Sequence, residues 1–323
     1  MVEAGAPIVV TGCAGFIGSN LVDVLLARGE TIVGIDSFEP FYPRATKEAN
    51  LRSAYISPRF TFHEVDTRSG EELRSIVAQT RPRAIVDLAA RAGVRDSIAA
   101  PQLYVDINLG GLQNLLQAAA EAKAAFVFAS SSSIYGDRSP MPFREDRVVP
   151  WPKSPYGATK LAGEALIAAH HASTGLPVRV ARLFTVYGPR QRPDLAVMRF
   201  ATAIAENRPL TLFAGGTLTR DYTFVGDIVE GFVRLICSDA ADLTVNLGGG
   251  KPYTTNELVA GLEEAFGVRA HRETLAMQPG DALATAADIS RARSELGWEP
   301  RTSLRTGLAA FQAWFLEAAG QDA

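Results

Sequence analysis

The chain has 323 residues, 47% of them apolar, enough for one large core with an appended lobe or for two domains. Its net charge is −3 and its pI is near 5.9, which speaks against a sequence-independent nucleic-acid binder. Two distant cysteines, Cys13 and Cys237, form no disulfide framework, and the four histidines have no metal-ligand spacing, so a reducing cytoplasm and no metal are expected.

In chain order, residues 7–11 form a short β-branched run that predicts a buried strand. Helical spacing from Phe16 to Arg28 stops at Gly29, and residues 31–36 predict the next strand. Further strands are expected over 84–88, 125–129 and 178–183, with a helix around Leu109 to Lys123. Continuous apolar strands alternating with helices predict an α/β fold with a doubly wound parallel sheet. Beyond residue 189 prolines and glycines cluster. Shorter helical runs (Met198 to Asn207, Val225 to Cys237, Asn256 to Phe266) then predict a smaller C-terminal α/β lobe. The division expected is 1–188, with some later segments returning to it, and 189–323. The N-terminus lacks the basic region of a signal peptide, and no apolar run reaches membrane-spanning length, so no membrane partner is expected.

Gly12, Gly15 and Gly18 punctuate the first strand-to-helix turn. Glycines there allow a tight turn, close approach of backbone to a pyrophosphate, and packing of helix on strand. The helix N-terminus beyond, with Phe16 and Ile17, offers free amides to phosphate. Asp36 ends the second strand 18 residues after Gly18. An acid there accepts from an adenosine ribose and repels a 2′-phosphate, which favours NAD over NADP. Ser37 follows it, and Asp66 is a candidate for the adenine end. Cys13, inside the turn, reads as a small filler.

Ser154-Pro155 predicts a helix start, which places Tyr156 and Lys160 one turn apart on one face. A free tyrosine titrates near pH 10; a neighbouring ammonium favours its phenolate, making Tyr156 a candidate general base toward a hydroxyl. Lys160 is also placed to hold a nicotinamide ribose. The cluster Ser130-Ser131-Ser132-Ser133 follows a predicted strand at the sheet's carboxyl edge, where ligands bind. Ser131 and Ser133 are the catalytic candidates there and Ser132 a substrate contact.

These residues resemble the extended short-chain dehydrogenase/reductase family in its nucleotide-sugar epimerase and dehydratase branch. The matching segments are Gly12 to Gly18, Asp36, Leu88-Ala89-Ala90, Asn108, Ser130 to Gly136, Ser154 to Lys160 and Arg220 to Val225. The resemblance implies a Rossmann fold, with Leu88, Ala89 and Ala90 beside NAD and residues 189–323 as the nucleotide-sugar lobe. Two departures refine it. Dehydratases of this branch carry Asp-Glu where this chain has Ser132-Ser133, which leaves epimerisation. Asp87 stands where a histidine often precedes Leu-Ala-Ala. The stretches Phe184 to Asp194 and Asp36 to Pro43 are similar to UDP-glucuronate 4-epimerases. That implies NAD-dependent C4 epimerisation of a UDP-sugar, UDP-glucuronate to UDP-galacturonate, through a transient 4-keto sugar. A UDP-glucose/UDP-galactose 4-epimerase is the alternative. A hydroxyl at Thr185 and a guanidinium at Arg192 suit a C6 carboxylate. The resemblance further implies Arg220 and Asp281 as UDP ligands, Phe213 beside the uracil, Arg190, Arg192, Arg199 and Arg220 as a cationic set for the diphosphate, and a homodimer.

Overall fold

The computed structural model describes residues 5–276 and 284–321. Its strands are β1 (Ile8–Thr11), β2 (Ile32–Asp36), β3 (Phe60–Glu64), β4 (Ala84–Asp87), β5 (Ala125–Ser131), β6 (Val178–Leu183), β7 (Thr185–Tyr187), β8 (Leu210–Phe213), β9 (Thr219–Phe224), β10 (Asp242–Leu247), β11 (Pro252–Thr254) and β12 (Arg272–Leu275). Seven of them build one parallel sheet in the order β10-β6-β5-β4-β1-β2-β3. The order reverses between β1 and β4, the switch point outside which ligands bind in open α/β sheets.

Alternation along each strand feeds two cores, one on each face. Ile8, Val10, Val86, Val127 and Ala181 pack on one side; Val9, Ile35, Ile85, Phe126 and Val180 pack on the other. The sheet is thus buried on both faces, which is why its central strands are near-continuous apolar runs. A third core gathers Tyr187, Phe200, Leu212, Tyr222, Leu262 and Phe311 around two small sheets, β11-β9-β7 and β12-β8. β10 comes from late in the chain yet pairs with β6 at the edge of the large sheet.

Local boundaries follow turn chemistry. The first helix runs Phe16–Ala27 and stops before Gly29, whose φ is 84°. The helix expected from Leu109 occupies Gly111–Ala122, because residues 106–110 form a π turn; Lys123, in the left-handed region, ends it. The helix carrying Tyr156 extends over Pro155–Thr174, with Ser154 accepting from the Gly157 amide at 3.1 Å and Pro155 in its first turn. β3 is an addition to the sequence expectation: its FTFHE run is partly exposed and carries no continuous apolar signal. No helix among the described residues is long and apolar enough to cross a membrane.

Candidate active site

One cavity of about 920 Å³ opens at the carboxyl ends of β1, β2, β4, β5 and β6. On its first flank the turn after β1 is fixed by sterics. Gly12 has φ 64°, and a Cβ at Gly18 would lie 2.1 Å from the Gly12 carbonyl oxygen. The helix that begins at Phe16 has no side-chain cap at Gly15, so its first-turn amides are left for an anion. Asp36 closes this flank. Its carboxylate accepts from the amides of Ala14 (3.0 Å) and Phe38 (2.8 Å), and burial raises its pKa. Gly15, Phe16, Ile17, Ser37, Asp66, Leu88, Ala89 and Ala90 line the same wall. Asp66 is clamped by Arg68 through both carboxylate oxygens, which lowers its pKa. An uncapped helix start beside a strand-ending carboxylate fits a dinucleotide, and Cys13, fully buried with its thiol pKa raised by burial, is a filler of the turn.

At the cavity's centre stand Tyr156, Lys160 and the serines. Ser131 Oγ donates to Ser133 Oγ (3.1 Å) and accepts from the Ser133 amide (3.1 Å). Lys160 is buried, and Nζ donates to the Ala129 carbonyl at 2.7 Å. Burial pulls its amine from 10.5 down to about 8, opposed by the charges of Asp87 and Glu164. Tyr156 differs from the sequence expectation. Burial raises its pKa, and the influences that favour its phenolate are a hydrogen bond with Ser131 and the charge of Arg192, not Lys160. The reason is direction: Nζ is turned to the end of β5, toward Ala129.

On the second flank, Thr185 lies at the start of β7 in register with Tyr222 of β9, and Arg192, Arg199 and Arg220 join it on the wall. Arg192 grips Asp194 with Nε (2.9 Å) and Nη2 (2.7 Å), which leaves its Nη1–Nη2 edge for a ligand. Arg220 sits beside Asp221, whose buried carboxylate accepts from the amides of Gly249, Gly250 and Ala287 and so ties β9 to two loops.

Two expected contacts resolve differently. Arg190 is absent from the cavity wall; it pairs with Asp23 of the first helix at 2.6 Å and docks its loop there, with Asn20 donating to the Pro189 carbonyl. Phe213 carries the Arg95 guanidinium 5.3 Å above its ring, and Arg95 rather than Phe213 lines the cavity. Asp281 lies outside the described residues. Sequence reasoning also missed a cluster on the wall. Phe41 lies between the guanidiniums of Arg91 (4.9 Å) and Arg192 (5.2 Å), and Arg91 pairs with Glu39. Arg91 directly follows Leu88-Ala89-Ala90, the signal that would have found it. Asn108 grips its backbone from both sides, accepting from the Arg91 amide at 2.8 Å and donating to its carbonyl at 3.0 Å.

Comparison with known proteins adds independent findings. Residues 9–311 match a family described as GDP-mannose 4,6 dehydratase. A UDP-glucuronate 4-epimerase of Thermodesulfobacterium geofontis is 40% identical over 310 residues, 95% of either chain. UDP-glucuronate 4-epimerase 1 of Arabidopsis thaliana is 38% identical, over 99% of this chain and 79% of that protein. Among solved structures, UDP-glucuronic acid 4-epimerase from Bacillus cereus, in complex with UDP-glucuronic acid and NAD, superposes with a TM-score of 0.91 at 37% identity, over 97% of this chain and 99% of that one. A UDP-glucose 4-epimerase from Thermotoga maritima, with UDP-glucose, gives 0.89 at 29% identity, over 97% and 99%.

Proposed function

Within the GDP-mannose 4,6 dehydratase family, to which this chain belongs, we propose that it is an NAD-dependent UDP-sugar 4-epimerase that interconverts UDP-glucuronate and UDP-galacturonate. The observation that carries this reading is the gathering of the glycine turn, Asp36, Tyr156, Lys160, Thr185 and Arg192 around one cavity. The family label names a dehydratase, but Ser132 and Ser133 supply no acid for elimination.

The first-turn amides of Phe16 and Ile17 bind the dinucleotide's pyrophosphate, and Asp36 its adenosine ribose. When bound, NAD supplies a reversible two-electron acceptor at the sugar's C4. Tyr156 takes the proton of the 4-hydroxyl as C4 gives up its hydride, and returns that proton to the same oxygen once C4 has regained hydride on its opposite face, with Ser131 and Ser133 holding the reacting oxygen. Lys160, one helical turn along and lining the same cavity, holds the nicotinamide ribose. Arg199 and Arg220 neutralise the diphosphate. A 4-keto uronate is a β-keto acid and loses CO2 readily. Thr185 and the free edge of Arg192 therefore hold the carboxylate in an orientation that resists decarboxylation, and Asp194 fixes that guanidinium. We further infer a cytoplasmic homodimer: both cysteines are free, and Ile98 and Val105, on short helices packed against the Tyr156 helix, are exposed.

The test is product analysis with UDP-glucuronate and, separately, UDP-glucose, with and without added NAD. Conversion of the uronate with no net reduced cofactor is expected. Equal turnover of UDP-glucose moves the assignment to a hexose epimerase; net NADH or a dehydrated or decarboxylated product overturns it.

A further inference from the structure

Asp87 occupies the end of β4, in register with Phe128 of β5. It is 2% exposed, and Oδ1 accepts from Thr11 Oγ1 (2.7 Å) and the Ala89 amide (3.2 Å). On β5, the Phe128 ring lies 4.5 Å from Lys160 Nζ, and the next residue, Ala129, takes that ammonium's hydrogen bond. The acid and the amine thus both neighbour Phe128 at the carboxyl edge of the sheet, and both are buried. A charge removed from water there is sustained only by a nearby partner.

Each element around Lys160 contributes something different. β5 gives a carbonyl and an aromatic face. Its own helix gives Tyr156, whose phenol burial shifts upward, and Glu164. But Glu164 is held by Arg182 of β6 through Nη2 (2.8 Å) and Nε (3.1 Å), and Ser130 donates to it as well. Its charge is already matched. The donors on Asp87, Thr11 and Ala89, are neutral, so its charge is not.

We propose that Asp87 is the counter-ion of Lys160, a positioning residue that keeps the ammonium charged one helical turn from the reacting tyrosine. This deepens the epimerase reading and rests on it for its meaning, but its test does not require turnover. The Lys160 amine, drawn down to about 8 by burial, is held there by the fields of Asp87 and Glu164. In turn, Lys160 opposes the burial that raises the Asp87 carboxyl.

The experiment is competitive acetylation of the whole ligand-free protein with acetic anhydride across pH, read at Lys160 by peptide mass spectrometry. Lys160 lines the open cavity, so a small reagent can reach it. Asp87→Asn keeps shape and removes charge; the Lys160 midpoint is expected to fall by about one pH unit or more. Thr11→Val, which takes one hydrogen bond from the carboxylate, moves the midpoint the same way by several tenths, and it decides the question if the asparagine variant does not fold. An unmoved midpoint overturns the proposal. Should the wild type turn over, the alkaline limb of kcat in Asp87→Asn shifts to lower pH with KM held. A limb that stays in place while KM rises instead marks Asp87 as merely structural and also overturns it. If the wild type turns over no UDP-sugar, the epimerase reading fails while the labelling result stands.

Discussion

The two flanks of the cavity are built by different means. The dinucleotide flank is made of backbone: a glycine turn and a helix start that share residues 12–18, closed by one carboxylate that is itself fixed by two amides. The sugar flank is made of side chains. Thr185, Arg192, Arg199 and Arg220 come from β7, a loop, a helix and β9, and what holds them is other side chains and loops. Backbone sites tolerate sequence change except where a Cβ intrudes. Side-chain sites change specificity with one substitution. A chain built this way keeps its cofactor while its substrate pocket diverges.

The strongest way to break this contrast is at the point where the flanks meet. Tyr156→Phe is expected to lower kcat by ~10²–10⁴-fold, the span of general acid–base catalysis, with NAD affinity held. A variant retaining more than a tenth of wild-type turnover shows that another group moves the proton. On the backbone flank, Gly18→Ala forces a Cβ against the Gly12 carbonyl oxygen at 2.1 Å. Strain of about 1–3 kcal/mol then weakens NAD binding by ~10–100-fold. Calorimetric titration with NAD checks it, and unchanged affinity would show that the turn has room. On the side-chain flank, Arg192→Ala is expected to cut kcat/KM for the uronate by about tenfold and to spare a UDP-hexose, the low end for a contact to a charged group because one edge already serves Asp194. Equal losses for both sugars would remove the carboxylate role.

The same contrast explains what could be read from the sequence. A strand, a glycine-punctuated turn and a strand-ending acid announce themselves locally, and the Ser154-Pro155 start fixes the phase of Tyr156 and Lys160 on their helix. Their direction is tertiary. Lys160 turns to Ala129 and burial governs Tyr156, neither of which is encoded in an i, i+4 spacing. β3 was silent because an edge strand that packs only Phe60 and Phe62 against the core needs no continuous apolar run. The Phe41 cluster was silent because cation–π partners 50 and 151 residues away share no periodicity with it.

Arg190 and Arg192 sharpen the contrast at the smallest scale. Two residues apart, they read as one cationic set, yet Arg190 takes a positive φ of 67° and turns to Asp23 of the first helix, while Arg192 lines the cavity. Both members of the Arg190 pair retain solvent contact, with side chains 20% and 31% exposed, so screening keeps the pair's worth at about 0.2–1 kcal/mol. Arg190→Ala is therefore expected to leave kcat and KM within about twofold and to lower the unfolding free energy by that amount. Asp23→Asn should do the same, and the double variant should cost less than the sum of the two, because the pair is lost only once. Denaturant unfolding of the three variants beside steady-state kinetics decides it. A rise in KM confined to Arg190→Ala, with Asp23→Asn silent, would return Arg190 to the substrate and make the two arginines one set after all.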